Sequence, residues 1–334
     1  MHGTMAAEPL WMLDAVSLEP ARLHELSVEI HPGITAVIGW SGAGKTSLLN
    51  LLVGFERAER GSKAESRRPN AAEISKAPAA SFGSSLRSST LDLPSSLAWV
   101  PQNGGLWPHC TAREHLTLAG ASAERAAALL AAFDLEPFAE SRPDALSQGE
   151  RSRLAVARAL AFRAEVLVMD EPLVHVDPAR CGKYWAVIRE QLEETGASLV
   201  FSTHVPETVL AHAQRAICLR HGRLLHEGPV STLYADPPTS ELMTFLGPGN
   251  WLTEEESRLW FGLRIDAPRC FRPEQVEITP AAISHVVVRH STFFGSVADV
   301  ELRHVNAAEI RSFLHRPSGP HLAAGTPATL HLRE

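Results

Sequence analysis

The segment that decides the fold is GWSGAGKT at residues 39–46, which matches the phosphate-binding pattern G-x-x-x-x-G-K-[ST]. A short apolar run, Ile34 to Ile38, precedes it, and the helix-forming stretch SLLNLLVG follows, with Gly54 as its expected end. A buried strand, a glycine-rich loop and a helix in this order are the context in which such a loop binds phosphate. We therefore predict a nucleotide site at Gly39, Trp40, Ser41, Gly42, Ala43, Gly44, Lys45, Thr46 and Ser47.

Phosphate chemistry explains why glycine, lysine and a hydroxyl occupy these positions. Glycines allow successive backbone N–H groups to turn toward one anion, and the following helix points its positive end at the same place. Lys45 is expected to reach the β- and γ-phosphates of ATP, and the Thr46 hydroxyl to bind Mg²⁺. A flexible turn with an incidental lysine is the simpler alternative, but it does not account for the strand and helix on either side.

A second apolar run, Val166 to Met169, ends in the acidic pair Asp170-Glu171. Strands of parallel sheets deliver such carboxylates to the edge where ligands bind. Asp170 is expected to hold Mg²⁺, directly or through water, and Glu171 to act on the attacking water as general base or positioning group. Alone, a strand-end aspartate is more commonly a loop or helix cap. The phosphate loop upstream favours the catalytic interpretation.

The first 245 residues alternate between strand and helix patterns, which predicts an α/β fold with a mostly parallel sheet. Asp177 and Pro178 are typical of a helix start, and Gly196 of its end. Residues 217–227 predict a hairpin. Residues 56–97 are rich in Ser, Ala and Pro and predict loops and short strands with a partly disordered insertion.

From about residue 245 the pattern changes, since proline recurs and VVVRHSTFFGSVADVELRHV alternates as strands do. We therefore predict a nucleotide-binding domain at 1–245, with a helical subdomain at about 103–150, and a second, β-rich domain at 250–334.

Bulk composition excludes several classes of protein. The chain has 334 residues and a net charge of -7, so it lacks the global basic field of nucleic-acid binders, and no nucleic acid is expected as partner. No run approaches the roughly 18 apolar residues of a transmembrane helix, and no secretory signal is expected at the N-terminus. The four cysteines are scattered, which indicates isolated thiols in a reducing compartment.

Five motifs in order resemble those of the ABC ATPases, over about residues 10–240. The phosphate loop and the Asp170-Glu171 strand are two of them. Gln102 resembles the family's Q-loop glutamine, which touches metal and water, and His204 in VFSTH resembles the switch histidine, which bonds the γ-phosphate. Asp177 occupies the place of the D-loop aspartate.

The fifth motif is LSQGE at residues 146–150, which resembles the family signature L-S-G-G-Q. The resemblance implies that Ser147, Gln148, Gly149 and Glu150 contact ATP held by a second copy of the chain, so that two ATP molecules lie between two subunits. Ser147 and Gly149 are expected to precede a helix beginning near Arg151, so that a hydroxyl and backbone N–H groups point at the anion. Taken alone, the segment is more simply a helix N-terminus capped by Ser147 or a neighbour.

The sequence departs from the family at three places. Gln148 replaces a glycine, and Glu150 replaces a glutamine, as in molybdate-importer subunits. The family stacks adenine on an aromatic residue upstream of the phosphate loop, and Trp11 is the nearest candidate for that role.

The resemblance also implies partners and a cargo. It predicts transmembrane permease subunits, contacted by Leu106, Trp107 and Pro108, at the cytoplasmic side of the membrane, and an extracytoplasmic substrate-binding protein acting indirectly. FRPEQVEI and GTPATLHL resemble the first and last parts of an OB-like (TOBE/MOP-like) domain of importers. Glu150 and the compact helical region favour molybdate or a related oxyanion as cargo, with ferric iron second.

Other functions stay open as alternatives. Sugar or polyamine import fits the same layout, and the C-terminal domain could add a ligand-sensing role. A P-loop kinase or GTPase would need a motif such as N-K-x-D, and a DNA-repair ATPase of the ABC type would need long heptad arrays. Neither feature occurs in the sequence.

Overall fold

The computed structural model describes residues 8–19, 22–58, 63–66, 96–317, 319 and 321–333. The chain divides into two compact units, residues 1–228 and 229–334. The sequence-based boundary at 245–250 falls within the second unit, and the domain assignment stays a prediction. Most of the predicted insertion at 56–97 lies outside the described residues.

The first unit is built around a sheet of parallel strands. The described strands of this unit, in chain order and counting both of its sheets, are β1 (Trp11–Leu18), β2 (Leu23–Ile30), β3 (Ile34–Ile38), β4 (Lys63–Ser66), β5 (Leu97–Val100), β6 (Val166–Asp170), β7 (Ser198–Thr203), β8 (Arg215–Arg220) and β9 (Arg223–Pro229). The central sheet has the order β5-β6-β7-β3-β8-β9, with parallel pairing from β5 to β8. The hairpin predicted for 217–227 is confirmed by β8 and β9. Strands β1, β2 and β4 form a separate antiparallel sheet.

The burial of these strands follows their sequence patterns. Every residue of β6 and β7 is buried, as expected for strands built on apolar runs, Val166 to Met169 and Leu199 to Phe201, with both sheet faces covered. Strand β1 instead alternates, and its inward residues pack in one core with leucines of the helix after β3. The two patterns give a buried central sheet beside a half-covered antiparallel one.

Capping residues fix the helix ends. The helices of the first unit are α1 (Lys45–Leu52), α2 (Ala112–Leu118), α3 (Ala123–Ala132), α4 (Gln148–Ala161), α5 (Pro178–Thr195) and α6 (Pro206–His212), with 3-10 turns at Glu136–Phe138 and Pro143–Ala145. Helices α2 to α4 lie between β5 and β6 in the chain and pack on one another. Asp177 caps α5 by accepting from the Ala179 N–H, and Gly196 ends it at φ 70°, as predicted.

The second unit is rich in strands. It contains α7 (Val230–Ala235), α8 (Ser240–Leu246), β10 (Asn250–Leu252), α9 (Glu254–Phe261), β11 (Arg269–Phe271), a 3-10 turn (Pro273–Gln275), β12 (Val276–Pro280), β13 (Val286–Phe293), β14 (Ala298–His304), β15 (Glu309–His315) and β16 (Ala328–Leu332). The ladders are β10-β11, β12-β16 and β13-β14-β15. Trp260 and Phe313 lie in its apolar core. The OB-like identity of this unit stays a prediction.

Two of the expected bulk properties can be compared with the structure. Within the described ranges, no helix is both long enough and apolar enough to cross a bilayer. All four cysteines are free thiols; Cys181 is half-buried and the other three are buried. The expectation of isolated thiols is therefore confirmed.

Candidate functional site

The predicted site residues follow neighbouring strands of the central sheet. Gln102 follows β5, Glu171 follows β6, His204 follows β7 and the loop at 39–44 follows β3. These four strands are adjacent in the order β5-β6-β7-β3 and run parallel. The segments that carry the predicted chemistry therefore lie along a single edge of the sheet, its carboxyl edge.

The phosphate loop is tightly packed at two of its glycines. A Cβ on Gly39, at φ 147°, would lie 2.3 Å from the Leu219 carbonyl oxygen, and one on Gly44, at φ 100°, would lie 2.8 Å from the Arg22 carbonyl oxygen. Only glycine fits both the backbone angle and the space there. Helix α1 starts at Lys45, directly after the loop, so its N-terminus faces the loop as the sequence predicts.

Lys45 lies inside the loop that precedes it. Its side chain is 8% exposed, and Nζ donates to the carbonyl oxygens of Gly39, at 2.8 Å, and Trp40, at 3.2 Å. Burial lowers the pKa of Lys45, against the opposing charges of Glu171 and Asp170. The ammonium group is thus held close to the acidic pair across the sheet edge.

A chain of hydrogen bonds joins the phosphate loop to the acidic pair. The Thr46 hydroxyl donates to Oδ2 of Asp170 at 2.8 Å, and the Ser202 hydroxyl donates to Oδ1 at 2.5 Å. Ser202 also accepts from the Glu171 N–H at 2.9 Å. Asp170 is 2% exposed, and Asp170 and Ser202 are opposite partners on β6 and β7. Ser202 therefore fixes both carboxylate-bearing residues from the neighbouring strand.

Thr46 and Asp170 provide the oxygen chemistry that Mg²⁺ requires. A hydroxyl and a buried carboxylate in contact, beside a phosphate-binding loop, are hard oxygen donors of the kind that hold Mg²⁺ together with phosphate oxygens. The residues present therefore fit the predicted metal. Gln102 is exposed and lines the same cavity as Asp170.

Glu171 and His204 are in direct contact. His204 Nδ1 lies 3.0 Å from Glu171 Oε1, and the Glu171 side chain is 15% exposed whereas that of His204 is 53% exposed. Glu171 adopts φ 50°, a left-handed conformation that is uncommon for a residue with a side chain. Such strain concentrates at functional positions, where the surroundings enforce it. Here the Ser202 hydrogen bond to the Glu171 N–H is one such constraint.

A cavity of 220 Å³ brings further predicted residues together. Gln102, Gln148, Asp170 and Glu171 line it, together with His175. Gln148, which departs from the family pattern, therefore faces the same space as the acidic pair of its own chain.

The segment at 146–150 forms a helix cap within the chain. The Ser147 hydroxyl accepts from the Glu150 N–H at 3.3 Å, and Glu150 Oε2 accepts from the Ser147 N–H at 2.8 Å. This reciprocal capping box starts α4 at Gln148, so the expected start near Arg151 is wrong by three residues. No hydrogen bond among the described residues joins Ser147 or Glu150 to the phosphate loop.

Two opposing effects act on the Glu150 carboxylate. Burial raises the pKa of Glu150, but hydrogen bonds from Ser147 and the charge of Arg153 outweigh it, so the pKa lies below its ordinary value. The ionised form therefore closes the capping box.

Gly149 packs against the loop that leads to Asp177. A Cβ at Gly149 would lie 2.9 Å from the carbonyl oxygen of His175. The start of α4 and the loop before α5 are therefore in close contact, and a larger residue at 149 would push them apart.

Trp11 cannot stack on a nucleotide. It is 0% exposed and belongs to the core between β1 and α1, because the alternation of β1 turns its side chain inward. The nearest aromatic candidate for stacking on adenine is therefore excluded. Trp40 is 43% exposed within the phosphate loop.

Sequence reasoning missed three residues that organise the site. Ser202 joins the acidic pair, whereas Arg158 and His115 hold the segment after Gln102. A serine or histidine inside an otherwise regular strand or helix has no distinctive spacing, so the only available signal for Ser202 and His115 was a polar residue at a buried position. Arg158 gave no such signal.

Comparisons with known proteins agree with this geometry. Residues 23–174 match a family described as ABC transporter. The Fe(3+) ions import ATP-binding protein FbpC of Pseudomonas fluorescens (strain Pf0-1) is 30% identical over 314 residues, which cover 86% of this chain and 85% of the relative. The L-cystine transport system ATP-binding protein TcyN of Escherichia coli (strain K12) is 35% identical over 234 residues, which cover 67% of this chain and 90% of the relative.

Solved structures show the same fold. A structure described as the ATP binding subunit of an ABC transporter superposes with a TM-score of 0.56 at 22% identity, covering 71% of this chain and 99% of the other. The chain therefore belongs to the ABC transporter family, as an ATP-binding subunit with the mixed α/β fold of the P-loop ABC ATPases. Subunits of this class are ATPases, and this chain is one.

Proposed function

We propose that this subunit hydrolyses ATP to drive an importer, and that ferric iron is the cargo. The observation that carries the first part is the alignment of Gln102, Glu171, His204 and the phosphate loop along one edge of adjacent parallel strands. Importer function comes from the relatives, whose names assign them to Fe(3+) import and cystine transport.

The roles follow from chemistry and position. The loop amides and Lys45 bind the phosphates, and Thr46 with Asp170 would hold Mg²⁺, which neutralises phosphate charge when bound. Glu171 accepts a hydrogen bond from the attacking water and aligns it with the γ-phosphorus. His204 contacts Glu171 and is exposed enough to reach the γ-phosphate as well. Gln102 faces the same cavity and orients metal and water.

Two chains are proposed to form each complete site. Ser147 and Gly149 lie at the N-terminus of α4, where backbone N–H groups and the helix dipole favour an anion. In the chain's own structure the Ser147 hydroxyl and N–H are both engaged in the capping box, so the N–H groups of Gln148 and Gly149 are the proposed backbone contacts for a partner's ATP. A fold relative with a TM-score of 0.51 and 23% identity is described as a dimeric ATP-binding cassette bound to ADP and Pi, which supports the arrangement.

A membrane partner is proposed to contact the segment after Gln102. Trp107 is 38% exposed, and Pro108 is exposed beside it. Partly exposed apolar side chains on an ordered loop are the kind of surface that an interface buries. This contact would place the subunit on the cytoplasmic face of the membrane, against permease subunits that receive cargo from an extracytoplasmic binding protein.

We prefer ferric iron to molybdate as the cargo for two reasons, the role of Glu150 and the extent of the alignments with relatives. Glu150 suggested an oxyanion importer, but it closes a capping box that either Glu or Gln can close. The alignment with the Fe(3+) import protein covers 86% of this chain, so it includes part of the second unit, which starts at residue 229. The cystine relative covers 67%, an extent that the first unit alone could supply.

Uptake by the reconstituted transporter tests the proposal. Vesicles containing the subunit with its permease should accumulate radioactive ferric iron in an ATP-dependent manner, and the Lys45→Ala variant should not. Molybdate, a sugar, cystine and a polyamine serve as competing cargoes in parallel. Accumulation of one of these with no iron uptake would rule out iron but leave the ATPase assignment intact.

A further inference from the structure

The loop that follows Gln102 is held against α4 by one arginine. The Nη1 and Nη2 atoms of Arg158 donate to the carbonyl oxygens of Gly105 and Gly104, at 2.5 and 3.0 Å. Both glycines have positive φ, 77° at Gly104 and 55° at Gly105, and this curled backbone presents both carbonyls to the same side chain. A planar guanidinium that reaches two acceptors fixes orientation as well as distance.

Gly104 lies close to the same face of α4. A Cβ on Gly104 would lie 3.4 Å from the Ala155 Cβ and 3.9 Å from the Arg151 carbonyl oxygen. Arg151, Ala155 and Arg158 are spaced by four and three residues, so they form one stripe along the helix. Ser147 caps the same helix one turn before Arg151. The stripe therefore connects the start of α4 with the loop that carries Gln102.

The Trp107 ring also contacts Arg158. The Trp107 ring stacks on the His115 ring, with the centroids 5.2 Å apart and the planes nearly parallel, and the Arg158 guanidinium lies 5.2 Å from the Trp107 centroid. His115 is 0% exposed; its Nδ1 contacts the Thr111 carbonyl oxygen at 2.7 Å, and its Nε2 accepts from the Trp107 N–H at 2.8 Å. Burial lowers the pKa of His115 against the Thr111 hydrogen bond, which favours the neutral ring that this acceptor requires.

We propose that Arg158 is a positioning residue that couples α4 to Gln102, so that the signature segment and the Q-loop move as one body. The inference rests on the proposed role of Gln102 in hydrolysis. Gln102 is exposed and lies two residues before the first carbonyl that Arg158 holds. Without the guanidinium, the loop loses the two hydrogen bonds that hold the Gly104 and Gly105 carbonyls.

The expected effect is on turnover and not on nucleotide affinity. Among the described residues, the hydrogen bonds of the Arg158 side chain go to Gly104 and Gly105 and not to the phosphate loop, so Arg158→Met should leave the KM for ATP within about twofold of the parent value. The kcat should fall by roughly tenfold to a hundredfold, as when a catalytic group is misplaced by about an ångström. Arg158→Lys retains the charge but cannot donate to both carbonyls at once, so its kcat should lie between that of the parent and that of Arg158→Met.

A double-mutant cycle between Arg158 and Gln102 tests the coupling. ATPase activity of the full chain is measured for Arg158→Met, Gln102→Ala and the double variant, with Arg113→Met as a control that removes an exposed guanidinium from the same helical region. If Arg158 acts through Gln102, the double variant is no slower than Gln102→Ala alone. Circular dichroism confirms folding, and Arg158→Lys takes the place of Arg158→Met in the cycle if the latter unfolds.

The alternative outcomes are distinguishable. If both single variants lower kcat and their effects multiply, Arg158 acts independently of Gln102 and the inference is overturned while the role of Gln102 stands. If Gln102→Ala hydrolyses ATP at the parent rate, the proposed role of Gln102 fails, and the inference fails with it. An unchanged kcat in folded Arg158→Met also overturns the coupling.

Discussion

The Nδ1 atom of His204 lies 3.0 Å from the Oε1 atom of Glu171, and the two residues follow the neighbouring strands β7 and β6. A carboxylate held this way retains one oxygen for water while the histidine fixes the other. Loss of the Glu171 carboxylate should therefore slow hydrolysis.

Glu171→Gln should bind ATP but hydrolyse it more slowly by about two to four orders of magnitude, because the amide cannot accept the water proton. It should also accumulate as an ATP-bound dimer. Phosphate release and size-exclusion chromatography in ATP measure the two effects, and Lys45→Ala, which should lose nucleotide binding itself, is the comparison variant. Turnover at the parent rate in Glu171→Gln would remove the role assigned to this carboxylate.

The composite site can be tested by mixing two inactive variants. A dimer of one Ser147→Arg chain and one Lys45→Ala chain has one site with both lesions and one site with neither. We expect ATPase activity in the mixture that neither variant has alone. Analytical ultracentrifugation during turnover provides the control, since an active enzyme that stays monomeric throughout contradicts the arrangement.

Ser202 should matter for stability as well as for hydrolysis. Ser202→Ala leaves an Asp170 oxygen and the Glu171 N–H without their partner, which costs about 1–3 kcal/mol of unfolding free energy for a buried polar group. Urea denaturation measures this loss. Ser257→Ala is the matched control, because Ser257 is buried and its hydroxyl has no partner among the described residues. Equal stability of the two variants would show that the Ser202 bonds contribute little.

Glu150 should tolerate glutamine but not alanine. Glutamine can close the capping box with Ser147, so Glu150→Gln should preserve stability, whereas Glu150→Ala should cost about 1 kcal/mol. Chemical denaturation of both variants distinguishes them. A loss in Glu150→Gln as large as in Glu150→Ala would mean that the carboxylate charge, and not the cap, stabilises α4.

His212 should make stability depend on pH. Burial, with a smaller contribution from Arg189, lowers the pKa of His212 to about 4, and its ring stacks on Trp185 at 4.4 Å. Because the folded pKa is depressed, the neutral ring stabilises the fold above the unfolded pKa of about 6.5, and this stabilisation is lost as pH falls toward the folded value. The slope should approach about 1.4 kcal/mol per pH unit. Urea unfolding from pH 7 to 4 should show a slope that is smaller in His212→Phe than in the parent by this amount, since His115 and His315, whose pKa values burial also lowers, keep their own contributions.

The sequence predicts those parts of the site that local patterns specify. The strand, glycine loop and helix around Lys45 depend on neighbouring residues, and so does the α5 start at Asp177. Ser202 differs, because its role depends on the register that places it opposite Asp170 on another strand. No local pattern contains that pairing.

Two expectations were wrong for identifiable reasons. The spacing of Ser147 and Glu150 is itself a capping-box pattern, and it would have placed the α4 start correctly. Trp11 occupies an inward position of an alternating strand, which argues for burial and against nucleotide stacking. In both segments the sequence pattern that specifies the local structure overlaps with the residues proposed for nucleotide contact.

The close approach of Gly149 to the His175 carbonyl has a consequence for cooperativity. In the proposed sandwich of two chains, Gly149 would contact the nucleotide of the partner, whereas His175 lies four residues after Glu171, the residue proposed to act at the chain's own nucleotide. Because a Cβ at position 149 would lie 2.9 Å from that carbonyl oxygen, only glycine allows the two segments to approach this closely. If the proposed sandwich forms, this contact would join the two ATP sites within each chain.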